Sequence, residues 1–147
     1  MQLSGTHVFK ASPEKVWAML MDINTLAKLV PGITSLEQVE ENKFKAMLGV
    51  KLGPVNASFA GHLHLEELQP PHSFNMKVQQ NSKVGNAAAN IGIRLQPQDD
   101  AQTELSFDGD VKLSGMLATL GQRLIGSVAN TLSKQFFQNL EKEMQQL

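Results

Sequence analysis

The feature that most restricts the fold is a long alternation of apolar and polar residues that begins near Ile33 and ends near Leu113. In residues 44–52, for example, every second side chain is apolar, and Lys45 and Lys51 occupy alternate positions. Because successive side chains of a strand point to opposite faces of the sheet, a period of two indicates strands with one buried face. Turn-forming pairs divide the run at Gly53-Pro54, Pro70-Pro71 and Asp99-Asp100. The alternation therefore predicts six consecutive antiparallel strands.

Helical patterns flank this run on both sides. Ser12 followed by Pro13 predicts the start of a first helix, because serine caps the first amide groups and proline fits the first turn. Asp22 predicts the start of a second short helix over residues 24–30, which ends before Pro31-Gly32. Residues 115–144 predict one long helix, since apolar residues recur three or four apart. Its predicted apolar stripe consists of Leu117, Leu120, Leu124, Val128, Leu132, Phe136 and Leu140.

With a further strand over residues 2–10, the predicted order is strand, two short helices, a meander of six strands and a long helix. This is the order of the α+β helix-grip fold, in which a curved sheet of about seven antiparallel strands wraps around the C-terminal helix. A chain of 147 residues has the size of one ordinary domain. We therefore expect one helix-grip domain over residues 1–147.

Composition excludes several classes of function. With 13 basic and 14 acidic residues the net charge is -1, so a nucleic-acid partner is not expected. The absence of cysteine excludes disulfides and thiolate chemistry. No secretory signal and no uninterrupted run of about 18 apolar residues is present. The prediction is a cytoplasmic protein whose membrane contact is at most transient and peripheral, at the inner face of the membrane.

Small residues stand at several positions where the strands present their apolar side. Glycine and alanine occupy places where a filled core usually has valine, isoleucine or leucine. Tight packing of the sheet on the helix would also explain them, but the interpretation adopted is an apolar ligand cavity. The predicted cavity residues are Phe44, Leu48, Ala57, Phe59, Gly61, Leu63, Met76, Ala87, Ala89, Ile91, Phe107, Gly109, Leu117, Leu120, Gly121, Leu124 and Val128.

The residues predicted at the rim or lid of this cavity are Trp17, Val30, Pro31, Gly32 and Arg123. Trp17 lies one position away from the apolar stripe of the first helix. Arg123 lies at the border of the long helix's stripe, where it could meet an acceptor at the cavity mouth or a carboxylate such as Asp22. The apolar turn of Leu29, Val30, Pro31 and Gly32 could open as a lid or touch a membrane, although a buried loop is the alternative interpretation.

Catalytic residues, a metal site and a cofactor are not predicted. An enzyme of this architecture needs acidic, basic or nucleophilic groups that face the cavity. The chain has no cysteine or tyrosine, and His62, His64 and Asp108 fall on the polar side of their strands. His62 and His64 could share a metal only weakly without a third ligand. The expectation is therefore a protein that is not an enzyme.

Specific motifs in the chain resemble those of a known family. The first-helix segment Ser12-Pro13-Glu14-Lys15-Val16-Trp17 resembles START-type and birch-pollen-allergen-type lipid-binding domains (SRPBCC). The chain is further similar to the CoxG-like family of carbon monoxide dehydrogenase subunits over nearly its whole length. The residues that carry this similarity are Asp22 with Pro31-Gly32, Gly53-Pro54-Val55 before Gly61, and residues 115–124 ahead of Phe136-Phe137.

This resemblance implies an accessory protein of a carbon monoxide dehydrogenase-type molybdenum hydroxylase. The implied role is in maturation, recruitment or electron-acceptor coupling of that partner, with a quinone or a lipid as the hydrophobic small molecule. Two alternatives of other classes remain open. One is a protein-protein assembly module without a ligand, and the other is an enzyme of cyclase or hydrolase type with the same fold.

Overall fold

The computed structural model describes residues 1–52, 54–99 and 101–145, and within them it contains one antiparallel sheet of seven strands. The strand order is β1-β7-β6-β5-β4-β3-β2. Strands β2 to β7 form a meander, and β1 pairs with β7 as the edge strand on that side. The prediction of a seven-stranded antiparallel sheet is confirmed. The strands are β1 (Gln2–Phe9), β2 (Ile33–Glu40), β3 (Lys43–Leu52), β4 (Val55–Gln69), β5 (Ser73–Ser82), β6 (Gly85–Asp99) and β7 (Gln102–Leu113).

Two short helices connect β1 to β2, and both begin at the predicted capping residues. In α1 (Pro13–Leu20) the side chain of Ser12 accepts a hydrogen bond from the backbone N–H of Lys15 at 3.3 Å. In α2 (Ile23–Leu29) the carboxylate of Asp22 accepts from the N–H of Asn24 at 2.9 Å. These caps supply acceptors for amide groups that the helices leave unpaired, which is why the sequence locates both starts.

The C-terminal helical region is two helices, so the prediction of one continuous helix is wrong. A single turn, α3 (Met116–Thr119), is followed by the long α4 (Gln122–Gln145). Gly121 separates them with a φ of 89°, a conformation that interrupts a right-handed helix and that glycine adopts without a steric penalty. None of the helices in the described residues combines the length and apolar composition needed to cross a bilayer.

The buried apolar residues form two separate clusters on the face of the sheet that α4 covers. The large cluster joins α1, α2 and the C-terminal half of α4 to one end of the sheet, and it includes Phe9, Val16, Leu29, Phe44, Leu65, Phe74, Leu105, Phe137 and Leu140. The small cluster lies around α3 at the other end and consists of Leu52, Ala57, Phe59 and Leu117, with partly buried residues packed against them. The core is therefore divided rather than continuous.

Helix α4 comes closest to the backbones of α2, β1 and β3 and is farther from the backbones of β4 to β7. At one end, the side-chain amide of Asn139 donates a hydrogen bond to the carbonyl of Leu29 at 3.0 Å, which ties α4 to α2. Helix α4 is thus closest to the sheet at β1 and at β3, which lie on either side of the central strands. The space between α4 and those strands is where the two clusters are separated.

Candidate functional site

The candidate site lies between the two clusters, on the inner face of the four strands β4 to β7. Inward-facing residues of these strands belong to neither cluster there, and most of them are partly buried. We call this set the middle band. Its members are Gly61, Val78, Gln80, Ala87, Ala89, Ile91, Gly109 and Val111.

Strand pairing places each small member of the middle band beside at least one larger side chain, while Ala87 and Ala89 follow each other along β6. Ala89 pairs with Val78 on one neighbouring strand and with Val111 on the other. In the next row, Gln80 lies between Gly61 and Ala87. Side chains on the same face of paired residues are about 5 Å apart, so small ones in adjacent rows create a shallow depression. Ala87 and Ala89 are only partly buried, as expected for such a depression.

An apolar stripe on α4 faces the middle band. Leu124, Val128, Leu132 and Phe136 follow one another at intervals of four residues and are all partly buried. Val128 packs against the small cluster and Phe136 against the large cluster. Since residues four apart share one side of a helix, Leu132 lies between those two contacts on the same side of α4. The predicted stripe is correct in these positions, but the buried residues of α4 are Leu140, which belongs to the stripe, and Ile125, Phe137 and Met144, which do not.

The glycines of the middle band are small for a reason other than the cavity. A β-carbon added to Gly61 would lie 1.8 Å from the backbone oxygen of Gln79 on β5. At Gly109 the nearest atom would be the backbone oxygen of Asn90, at 2.6 Å. Close approach of the paired strand therefore requires glycine at both places. Ala87 and Ala89 already carry a β-carbon, so this constraint does not explain their size.

Gln80 is the polar member of the middle band, and the sequence interpretation did not single it out. Its side chain is 8% exposed, and its Oε1 atom has no hydrogen-bond partner among the described residues. The other buried polar side chain, Thr103, donates from its hydroxyl to the carbonyl of Ala11 at 2.7 Å. The sequence feature that could have identified Gln80 is its position in the apolar phase of β5, where it continues the series Phe74, Met76 and Val78.

A cleft of about 410 Å³ opens between the edge strand β1 and α4, next to the middle band. Its lining includes Leu3 and Gly5 from β1, and Ala129 and Ser133 from α4. Gly5 allows the ring of Phe107 to lie close to β1, because a β-carbon at this position would be 2.8 Å from that ring. The sequence interpretation did not identify this cleft, since it depends on how far α4 lies from β1.

His7 forms one wall of the β1–α4 cleft. Its ring stacks on Phe137 with ring centroids 5.0 Å apart, and its Nε2 atom contacts the carboxylate of Glu141. These contacts connect β1 to the C-terminal half of α4. They place one polar pair in a cleft whose lining mixes apolar residues with polar ones such as Asn130 and Lys134.

The predicted cavity residues do not form one group. They lie at the break before α4, in the α4 stripe, in or against the two clusters, and in the middle band. Gly121 is exposed at the break between α3 and α4, and Leu124 belongs to the α4 stripe. Phe44 belongs to the large cluster, and Leu63, Met76 and Phe107 pack against it. Ala57, Phe59 and Leu117 belong to the small cluster, and Leu48, Leu120 and Val128 pack against it. The middle band contains Gly61, Ala87, Ala89, Ile91 and Gly109.

The residues predicted at the rim do not form one group. Trp17 packs edge-on against Phe74, with ring centroids 5.5 Å apart, on the side of the large cluster. Arg123 is exposed and forms no ion pair with any residue that the structure describes, so the suggested pair with Asp22 is not formed.

The turn after α2 is held against the sheet. The N–H of Gly49 on β3 donates to the carbonyl of Gly32 at 2.9 Å. Leu29 is fully buried, so it cannot belong to an exposed apolar lid as the sequence interpretation suggested. Val30 and Pro31 are partly buried and Gly32 is exposed.

The outer face of the sheet carries the polar residues considered for chemistry. His62, His64 and Asp108 are exposed there, as the alternation predicts. The two histidines border an open groove of about 480 Å³, together with Lys77, Gln79, Asp110 and Lys112. Within the described ranges, no three side chains of the metal-ligating types come together as a metal site.

Solved structures confirm the fold. A conserved protein from Geobacillus kaustophilus is 30% identical, with a TM-score of 0.95 over 99% of this chain and 96% of that one. A START superfamily protein from Mycobacterium smegmatis is 13% identical, with a TM-score of 0.77 over 99% of this chain and 97% of that one. The Zhui aromatase/cyclase from Streptomyces sp. R1128 is 13% identical, with a TM-score of 0.73 over 97% and 92%. These likenesses show that the chain shares its fold with a START superfamily protein and with an aromatase/cyclase.

Sequence comparison supplies the family. No curated protein matches the chain. The model of the CoxG family, whose description names a subunit of carbon monoxide dehydrogenase, matches residues 5–145, nearly the whole chain. The protein with the divided core and the middle band therefore belongs to the carbon monoxide dehydrogenase CoxG family.

Proposed function

We propose that this protein is a non-catalytic accessory protein that binds a lipophilic small molecule between the sheet and α4. The observation that carries this proposal is the divided core. Between the large and small clusters, the middle band and the α4 stripe present apolar side chains that are only partly buried. Protein interiors are normally close-packed, so two facing apolar surfaces of this kind are suited to a guest molecule.

The binding energy would come mainly from burial of apolar surface. Each Å² of such surface removed from water contributes about 25 cal/mol. A ligand that contacts Val78, Ala89 and Ile91 on one side and Leu132 on the other would bury apolar surface on both of its faces. The β1–α4 cleft provides the route by which it would reach this space.

Family membership supports the accessory role. The family takes its name from carbon monoxide dehydrogenase, so the proposed partner is a molybdenum hydroxylase of that type. A bound quinone or lipid would then serve electron-acceptor coupling, recruitment or maturation of that enzyme. The middle band offers only the neutral Gln80 as a polar group, whereas His62, His64 and Asp108 lie on the outer face. This arrangement supports binding rather than acid-base catalysis.

The test uses diphenylhexatriene, an uncharged apolar fluorophore, with the full chain. We expect the wild-type protein to bind it with a rise in fluorescence, and Ala89→Phe to abolish that rise because the added ring fills the middle band. Ala88→Phe is the matched control, since Ala88 is the neighbouring residue on the outer face. Both variants should keep a cooperative melt.

Two results would contradict the proposed site. The first is a wild-type protein that does not bind the fluorophore. The second is an Ala89→Phe variant that loses stability by the amount typical of an overfilled core, about 1 to 3 kcal/mol, since the band would then be packed. Native mass spectrometry of the purified protein would identify any small molecule that it retains.

A further inference from the structure

We propose that Gln80 selects the polar group of the ligand, and that this ligand is a neutral lipophilic molecule with a hydroxyl or N–H donor, which among the ligands considered above means a hydroxyl-bearing lipid or the reduced, quinol form of a quinone. This inference rests on the proposed function, because it assigns chemistry to the same space. A side chain that is 8% exposed, with an acceptor oxygen that no described residue satisfies, is the observation behind it.

The carboxamide of Gln80 is poorly explained as a structural residue. Leaving a buried acceptor without a partner costs about 1 to 3 kcal/mol. Leucine or methionine would avoid this cost in the apolar phase of β5, where Phe74, Met76 and Val78 precede it. Thr103 shows that a buried polar side chain of this protein can be satisfied internally. A ligand that donates to Oε1 would remove the cost at Gln80.

The residues paired with Gln80 on the neighbouring strands are small. Its two paired neighbours on the inner face are Gly61 and Ala87, neither of which reaches over it. From there the middle band runs through β6 and β7 to Leu3 on β1, which pairs with Gly109 and lines the β1–α4 cleft. The ligand's polar end would thus lie deep, with its apolar tail toward the opening.

The geometry also bounds the length of that tail. From β5 to β1 the sheet crosses three strand spacings, or about 14 Å at the usual separation of paired strands. An alkyl chain of about ten carbons has a comparable extended length. Medium-chain alcohols are therefore suitable probes for the orientation proposed here.

The uncharged carboxamide selects against an ionised head group. A buried carboxylate or phosphate requires a cation or several strong donors to offset its loss of water. The middle band contains neither lysine nor arginine. We therefore expect the site to prefer an alcohol over the carboxylate of equal chain length, and an alcohol over its methyl ether, which cannot donate.

The experiment measures displacement of diphenylhexatriene by 1-decanol, decyl methyl ether and decanoate. For the wild-type chain we expect decanol to bind roughly fivefold to tenfold more tightly than the ether, the effect of one net hydrogen bond. In Gln80→Met and Gln80→Leu this ratio should fall to about one, while the ether binds as before. Gln79→Met is the matched control, because Gln79 is exposed on the outer face and its substitution should preserve the ratio.

Stability gives a second readout in the absence of ligand. Gln80→Met should raise the melting temperature, since it removes an unsatisfied buried acceptor, whereas Gln79→Met should not. If both Gln80 variants fail to fold, a structural role for the carboxamide is established and the inference is wrong.

The possible failures can be told apart. If diphenylhexatriene binds but decanol and its ether compete equally, or if Gln80→Met leaves their ratio unchanged, the role of Gln80 is wrong and the cavity stands. Decanoate that binds as tightly as decanol would overturn the neutral ligand class. Failure of the wild-type chain to bind diphenylhexatriene would overturn the proposed function itself.

Discussion

Gly61 and Gly49 are both strand glycines, but their surroundings differ. A β-carbon at Gly61 would meet the oxygen of Gln79 at 1.8 Å, whereas one at Gly49 would have nothing within 4 Å. We predict that Gly61→Ala lowers the free energy of unfolding by about 1 to 3 kcal/mol through strain between β4 and β5. Gly49→Ala should leave it unchanged or raise it by up to about 1 kcal/mol. Urea denaturation of the two variants measures this difference, and equal stability would show that the strands can separate without cost.

The same residues show where sequence interpretation reaches its limit. Gly61, Ala87 and Ala89 share the apolar phase of their strands, so all three were assigned to the cavity for one reason. Gly61 differs from Ala87 and Ala89 only in how closely the backbone of the neighbouring strand approaches it. Gln80 was visible in the same phase, but its importance depends on Oε1 having no hydrogen-bond partner among the residues that the structure describes. Both properties are set by tertiary contacts that alternation does not encode.

Among the structural elements, the C-terminal helices contain two glycines with opposite expected effects. Gly121 has a φ of 89° at the break before α4, while Gly126 lies inside α4, with the side chain of Met1 at an ordinary contact distance of 3.5 Å. Gly121→Ala should destabilise the protein by about 1 to 2 kcal/mol, because alanine is strained in that conformation. Gly126→Ala should stabilise it by up to about 1 kcal/mol through higher helix propensity. Thermal melts of both variants test this, and a lower melting temperature for Gly126→Ala would contradict it.

Elements with local signals were predicted well. The caps at Ser12 and Asp22 predicted the starts of the short helices, and the period of two predicted the meander of six strands. The break at Gly121 was missed because Leu117, Leu120 and Leu124 keep a helical spacing across it. A left-handed glycine changes the direction of the chain without changing the spacing of apolar residues, so periodicity alone cannot reveal it.

For the whole molecule, element order predicted the fold, but it did not predict how the interior is filled. The order of one strand, two helices, six strands and a helical end corresponds to the helix-grip proteins that the comparisons confirm. Element order does not determine how far α4 lies from the central strands, and this distance decides whether the interior between them is filled. Here α4 is closest to β1 and β3 at the sides, which leaves the middle band between two clusters and a cleft at the β1 edge.

This arrangement predicts that the β1–α4 cleft controls the rate of ligand exchange. Ser133 lines the cleft from α4, whereas Gln135 is exposed elsewhere on the same helix. Ser133→Trp should narrow the opening without filling the middle band, so the association and dissociation rates of diphenylhexatriene should both fall several-fold. Their ratio, and therefore Kd, should change little, because the bound state keeps its contacts. Gln135→Trp is the control for adding an indole to α4 and should leave both rates unchanged. Stopped-flow fluorescence gives the two rates directly, and rates that Ser133→Trp does not alter would show that the ligand reaches the middle band by another route.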